Sequence, residues 1–174
     1  TEPIVKSVPL AVMSATEAVD LLAGRTNQSL AGYELQTLLA REQAGKLAEL
    51  LGYLPLALDQ AAAYIVETGS RFEDYIKLYQ THGMKLLQRR GMLASEADHP
   101  DPVAVTWLLS FEKVEKQSAL AVAVLQVCAF LYADGILEET FQAVDELEFN
   151  EVLAEIFKYS LLQRDPEHNL LAMH

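Results

Sequence analysis

Hydrophobic residues recur at three- and four-residue spacing along most of the chain, which is the repeat of an amphipathic helix. The first such pattern follows residues 14–17, where Ser14 and Glu17 stand in the arrangement of a capping box, and it should end near Gly24. A second pattern covers residues 33–51, and Gly52 is the residue type that commonly ends a helix. The N-terminal region is therefore predicted to be helical.

A third helix is predicted over residues 55–67. Pro55 suits its first turn, where no backbone N–H is needed, and Gly69 is suited to end it. The segment between them is apolar on almost every side, which is typical of the central helix of a bundle. Two shorter helices are predicted over residues 71–80 and 84–90.

Residues 91–102 form the clearest linker of the chain, and two prolines stand at its end. Beyond it the patterns predict helices over residues 103–116, 118–132, 138–144 and 150–159, the last with Asn150 as its N-cap. Two strand-like segments then flank a turn at residues 165–168 and predict a small hairpin that reaches Met173.

We therefore predict a mainly α fold of two subdomains. Residues 14–90 would form a helical bundle, and residues 103–174 a winged-helix subdomain that ends in the small C-terminal β-hairpin. Residues 1–13 are interpreted as a linker or as the remnant of a preceding nucleotide-binding domain, in a chain taken from a longer protein.

Composition narrows the classes of protein that fit. Hydrophobic residues make up 51% of the 174 residues and charged residues 22%, which is ordinary for a globular protein and excludes a disordered one. The net charge of -12 argues against a nucleic-acid partner, because affinity for the phosphate backbone comes from basic side chains. No apolar stretch reaches the ~20 residues of a membrane span, and no basic leader is visible, so a cytoplasmic location without a membrane partner is expected.

Motifs of catalysis are missing from the chain. No Gly-x-x-x-x-Gly-Lys-Ser/Thr loop or Gly-x-Ser-x-Gly elbow occurs, and His82, His99 and His168 lack metal-ligand spacing. Cys128, the single cysteine, stands in an apolar run and is predicted to be a buried, unreactive thiol. We expect neither a catalytic residue nor a metal site.

Two strings suggest a family. The first is Gly-Tyr-Leu-Pro-Leu-Ala-Leu, which begins at Gly52 and includes Pro55, and the second is Met-His, which ends at His174. In this order they resemble the Gly-x-Pro and Met-His-Asp motifs of the NB-ARC group of STAND nucleotide-switch ATPases. The spacer between Gly52 and Pro55 is one residue longer, as in bacterial members, and the third residue of the second motif lies beyond His174. The resemblance implies that Pro55 packs on adenine, that Gly52 belongs to the same cofactor-binding motif, and that His174 donates to the β-phosphate of ADP.

The same resemblance implies a function and its partners. In the family this region closes over ADP bound to a P-loop domain, which is not in this chain, and swings away when ATP replaces ADP, so that the protein forms a homo-oligomer. Sensor repeats, such as tetratricopeptide repeats, commonly follow. ADP or ATP would be the cofactor of the full-length protein. This chain alone should bind neither tightly, because its gross contribution of ~3–5 kcal/mol only matches the ~4.1 kcal/mol of millimolar binding before the cost of association is subtracted.

Simpler interpretations stay open at this point. Pro55 can be an ordinary helix-start proline, and His174 an ordinary surface residue. The chain can also be a DNA-binding winged-helix regulator, although residues 150–174 contain only two lysines or arginines against four acidic residues. A purely helical scaffold, with no dependence on Pro55 or His174, is the third possibility.

Overall fold

The computed structural model describes residues 12–26, 34–89, 101–131 and 135–173. His174, the predicted remnant up to residue 11 and most of the predicted linker lie outside the described residues. Within them the fold is mainly helical, with a small antiparallel sheet near the C-terminus. The helices are α1 (Ala15–Thr26), α2 (Glu34–Leu50), α3 (Pro55–Thr68), α4 (Phe72–Arg89), α5 (Pro102–Gln117), α6 (Ala119–Phe130) and α7 (Glu146–Phe157), and the strands are β1 (Ile136–Leu137), β2 (Leu162–Asp165) and β3 (Leu170–Met173).

The start of α1 is confirmed as a capping box. The Glu17 backbone N–H donates to Ser14 Oγ at 3.3 Å, and the Ser14 N–H donates to the Glu17 carboxylate at 2.8 Å. The predicted end at Gly24 is two residues too early, since α1 reaches Thr26. The Thr26 hydroxyl donates to the carbonyl of Leu22 at 2.8 Å, which ties the last turn to the one before it.

Gly52 ends α2 as predicted, by the Schellman arrangement. The N–H of Gly52 donates to the carbonyl of Glu49, and the N–H of Tyr53 to that of Ala48, both at 3.0 Å. Gly52 has a φ of 63°, a conformation that a residue without Cβ adopts at no steric cost. Pro55 follows as the first residue of α3, so the predicted helix start is confirmed.

The prediction of two short helices after Gly69 is wrong. A single helix, α4, continues through Gly83, which is buried. A glycine inside a helix costs only about 1 kcal/mol relative to alanine. The neighbouring His82 ring lies 3.5 Å from the Glu112 carboxylate of α5, and packing of α4 against α2 and α5 outweighs that cost.

Helix α5 begins one residue before its predicted start at Val103. Pro102 is the first residue of α5, and Asp101 is its N-cap, whose carboxylate accepts from the N–H groups of Val103 at 3.0 Å and Ala104 at 3.4 Å. Ser118 caps α6 in the same way, through the N–H of Ala121 at 3.1 Å.

The predictions for residues 138–150, which precede the hairpin, are also partly wrong. Residues 138–144 were predicted as a helix, but a short 3-10 helix, Glu138–Phe141, follows the two-residue strand β1. Asp145, not Asn150, is the N-cap of α7, and its carboxylate accepts from the N–H of Leu147 at 3.0 Å. Asn150 lies one turn further on and donates to the Glu146 carbonyl at 2.9 Å. Both residues have a suitable acceptor side chain, and the longer helix satisfies more backbone groups.

The predicted hairpin is confirmed and is part of a three-stranded antiparallel sheet in the order β1-β3-β2. Ile136 pairs with Leu171 at one edge of β3, and Leu162 pairs with Met173 at the other. Arg164 of β2 donates to both carboxylate oxygens of Glu138 at 2.6 Å, which fixes the sheet to the 3-10 helix.

The buried side chains form one hydrophobic cluster that runs through both predicted subdomains. Helix α3 lies at its centre and packs against α1 and α5, as its apolar surface predicts. The two-subdomain division stays a prediction, but the described core does not break between them. Among the described residues, no helix is both long and apolar enough to cross a bilayer.

Candidate functional site

Pro55 lies at an exposed position at the N-terminus of α3. The turn before it is well defined, because Tyr53 also has a positive φ, of 56°, and Leu54 is extended. The carbonyl of Tyr53 accepts from the N–H of Met13 at 3.1 Å, so the chain entering α1 holds this turn in place. The pyrrolidine ring therefore projects from a backbone that is fixed on both sides.

A cavity of about 470 Å³ lies where α1 and α3 meet the turn after α7 and the start of β2. Its lining residues are Leu21, Arg25, Asp59, Phe157, Ser160, Leu162 and Gln163. Asp59 lies one helical turn after Pro55, and Leu162 pairs with Met173. The helix that begins at Pro55 thus reaches this cavity through Asp59, and β2, the neighbour of the strand that ends at Met173, reaches it through Leu162 and Gln163. Neither Pro55 nor β3 is part of the lining, and His174 lies outside the described residues.

Gly52 borders a different cavity, of about 630 Å³, between the end of α2, the middle of α4 and the start of α5. Tyr79, Asp101 and Pro102 line it as well. Burial raises the pKa of the Tyr79 phenol to about 12, with a smaller contribution from the Asp101 carboxylate. The structure therefore gives Gly52 a role in the turn before Pro55, while Pro55 itself lines neither of these two cavities.

Arg25 is a residue of this region that sequence reasoning missed. Its Nη2 lies 2.5 Å from Asp59 Oδ1 and donates to Ser160 Oγ at 3.2 Å. Ser160 is 135 residues away along the chain and has a positive φ of 53°. No motif or spacing in the sequence predicts this contact. It forms only when the two halves of the described chain, residues 12–89 and residues 101–173, have packed together.

A buried polar contact connects α3 to α5 at the interface between the two halves. The Thr106 hydroxyl donates to Gln60 Oε1 at 2.7 Å, and both side chains are fully buried. Gln60 Nε2 has no hydrogen-bond partner among the described residues. One turn further along α3, the Tyr64 ring lies 6.4 Å from the Tyr159 ring, and Lys113 Nζ lies 5.4 Å from the Tyr64 ring centroid. The interface between the two halves therefore combines apolar packing with specific polar contacts.

The surface of α7 is acidic. Glu146, Glu148 and Glu151 are exposed, and Glu155 is half-buried. The helix has no lysine or arginine. A helix that reads the major groove needs basic or neutral side chains against the phosphates, so this surface does not favour DNA binding.

Metal binding and thiol reactivity are the other kinds of chemistry that titratable groups could supply. Within the part of the chain that the structure describes, no three His, Cys, Asp or Glu side chains are placed to hold a metal ion. The His168 ring lies 2.7 Å from the Asp165 carboxylate and lowers the pKa of that carboxyl. Cys128 is buried in α6, and burial raises the pKa of its thiol to about 11, as expected for a structural cysteine.

Comparison with known proteins gives one informative relative. The chain is 22% identical over 140 residues to a nucleotide-binding leucine-rich repeat (NLR)-like protein of Hyaloscypha variabilis. The match covers 76% of this chain but only 14% of that much longer relative. No protein-family model matches the chain, and no solved structure matches it. NLR-like proteins are of the NB-ARC and STAND type, so the similarity supports that resemblance at a coarse level.

Proposed function

We propose that this chain is a regulatory part of an NB-ARC-type STAND ATPase and that it closes over ADP held by a P-loop domain of the same protein. The observation that supports this most directly is the cavity shared by α3 and the C-terminal sheet. Asp59, one turn after Pro55 in α3, lines it, and so does Leu162 of β2, which pairs with Met173, the residue before His174. A ligand bridging these two ends would hold the two halves together, as a nucleotide-dependent switch requires.

The order of elements after residue 101 is consistent with a winged-helix subdomain. Two helices, a short strand, a third helix and a two-stranded hairpin follow one another as α5, α6, β1, α7, β2 and β3. The first strand joins the hairpin at β3, so that β3 is central. In this proposal the subdomain serves to carry His174 towards the phosphates, and the acidic α7 has no role in binding nucleic acid.

Pro55 would supply a flat apolar contact for adenine. Its ring is exposed, and the contacts of Gly52 and Tyr53 fix the turn before it, so little freedom is lost when the base packs on it. Covering part of one adenine face contributes ~1–2 kcal/mol at ~25 cal/mol per Å². The remaining affinity would come from His174 and from the P-loop domain.

The test uses the full-length protein and measures nucleotide that copurifies with it, released by denaturation and quantified by chromatography. Pro55→Ala should weaken ADP binding about 5- to 30-fold, which corresponds to ~1–2 kcal/mol. Pro102→Ala is the matched control, because Pro102 also begins a helix, α5, but that helix does not line the shared cavity. If neither Pro55→Ala nor His174→Ala changed nucleotide occupancy, the proposal would be wrong and a helical scaffold would be favoured.

A further inference from the structure

Arg25 connects three elements that are far apart along the chain. It belongs to the last turn of α1, and its Nη2 contacts Asp59 of α3 and Ser160 of the turn between α7 and β2. One nitrogen thus carries both contacts, with one N–H available for each oxygen. The arrangement links the helical half of the molecule to its C-terminal half.

The surroundings of Arg25 are only partly filled by other side chains. It borders the cavity of about 470 Å³ and also a second cavity of about 230 Å³. Arg25, Phe157 and Ser160 line both. At this edge of the interface between the two halves, the two contacts of the Arg25 guanidinium group take the place of close packing.

These contacts act on the two ends that the proposed function uses. Asp59 lies one turn after Pro55, and Ser160 stands two residues before Leu162, the partner of Met173 in the sheet. A shift of the Ser160 turn would therefore move β2 and the end of β3 relative to the N-terminus of α3. The spacing between Pro55 and Met173 depends on how this turn is held.

We propose that Arg25 is a positioning residue, which holds the Ser160 turn against α3 and so sets the distance between the two nucleotide-contacting ends. This inference rests on the proposed function. Arg25 and Asp59 are 51% and 33% exposed, so the pair is of the kind that contributes little to global stability. Its effect should be seen in nucleotide retention more clearly than in the melting temperature.

Ser160 offers a variant that separates the hydroxyl from the backbone. Because its φ is positive, Ser160→Gly removes the acceptor of Arg25 while it relieves backbone strain. A merely structural role predicts unchanged or greater stability and unchanged nucleotide release. The positioning role predicts faster release without a loss of stability.

The experiment measures the rate at which fluorescent ADP leaves the full-length protein when excess unlabelled ADP is added. Arg25→Gln should accelerate release about two- to fivefold, the range expected for an exposed ion pair. Arg25→Lys should lie between this variant and the unmodified protein, since an ammonium group keeps the charge but not the planar fork. Exchanging the partners, by Arg25→Asp together with Asp59→Arg, should restore part of the slow release.

Arg41→Gln is the matched control. Arg41 of α2 and Asp20 of α1 form an ion pair at 3.4 Å, and their side chains are 54% and 58% exposed. Both helices belong to the first half, so this pair does not connect the two halves. Its loss should leave release unchanged. Hydrogen exchange supplies a readout without nucleotide, because Arg25→Gln should speed exchange of the β2 amides by a similar factor and Arg41→Gln should not.

The two proposals fail in different ways. If Pro55→Ala accelerates release and Arg25→Gln does not differ from Arg41→Gln, the positioning role is wrong and the proposed function stands. If Pro55→Ala also leaves release unchanged, both proposals are wrong. Equal hydrogen exchange of β2 in the Arg25→Gln and Arg41→Gln proteins would independently overturn the positioning role.

Discussion

The hydrogen bond between Thr106 and Gln60 allows a prediction of unequal effects at its two ends. Thr106→Val keeps the size and shape of the side chain but removes the only hydrogen-bond donor that reaches Gln60 Oε1 among the described residues. The Gln60 amide, whose Nε2 is already unpaired, is then buried with no partner for either of its polar atoms. No cavity is created, so any loss of stability reports the unpaired amide alone.

The magnitude follows from the cost of leaving a buried polar group unsatisfied, which is ~1–3 kcal/mol. Thr106→Val should lower the free energy of unfolding by about 2 kcal/mol, or the melting temperature by about 4–8 °C for a chain of this size. Gln60→Met should behave differently, because it removes the unpaired amide. The Thr106 hydroxyl would keep its alternative acceptors, the carbonyls of Pro102 and Val103, both at 3.0 Å. Gln60→Met should therefore be neutral or stabilising.

The assay is urea unfolding of the two single variants and the double variant, followed by circular dichroism. In the Gln60→Met background, Thr106→Val should lower the free energy of unfolding by less than about 0.5 kcal/mol, because the Gln60 amide that would lose its partner is no longer present. A Thr106→Val protein as stable as the unmodified chain would refute the reasoning. So would a double variant that is less stable than the Thr106→Val protein.

Three further predictions concern local features. Asp145→Ala should lower the free energy of unfolding by about 1 kcal/mol because it removes the N-cap of α7, whereas Asn150→Ala should change it by less than about 0.5 kcal/mol; urea titration compares them, and the reverse order would restore Asn150 as the cap. Burial raises the pKa of Cys128 to about 11 and that of Tyr79 to about 12, so the unfolded chain loses these protons first and the urea midpoint should fall as the pH rises from about 9 towards 11; a constant midpoint would contradict this. The isolated chain should bind ADP more weakly than millimolar, and a micromolar dissociation constant by calorimetry would disprove it.

Local chemistry made the ends of several elements predictable. The capping box at Ser14, the glycine at position 52 and the proline at position 55 each satisfy or replace backbone groups within a few residues, so no knowledge of distant contacts is needed. The hairpin was predictable for the same reason, because its turn and both of its strands are adjacent along the chain.

The errors arose where distant residues decide the local structure. Helix α4 continues through Gly83 because α2 and α5 pack against it. Strand β1 has only two residues and exists because β3 pairs with it. At α7, two acceptor side chains competed for one cap, and spacing alone could not choose between Asp145 and Asn150.

The residues of the candidate site were likewise predictable only where their signal is local in the sequence. A motif marked Pro55 because helix starts have a local signature, but nothing local marked Arg25 or Ser160, which meet across 135 residues. Gly52 was correctly identified as a turn residue, while its separation from the shared cavity depends on how α2, α4 and α5 pack. His174 stays a prediction from the resemblance.

The continuity of the core has a consequence for how such proteins can be recombined. Each half provides a wall of the other's interior, with Gln60 facing Thr106 and Tyr64 facing Tyr159. Two polypeptides produced separately, one ending near Arg89 and the other starting at Asp101, should complement each other in a mixture. A chimera that takes one half from a related protein must also take the residues of the other half that contact it. Otherwise the interface between the two halves will be poorly packed and its buried polar groups will lose their partners.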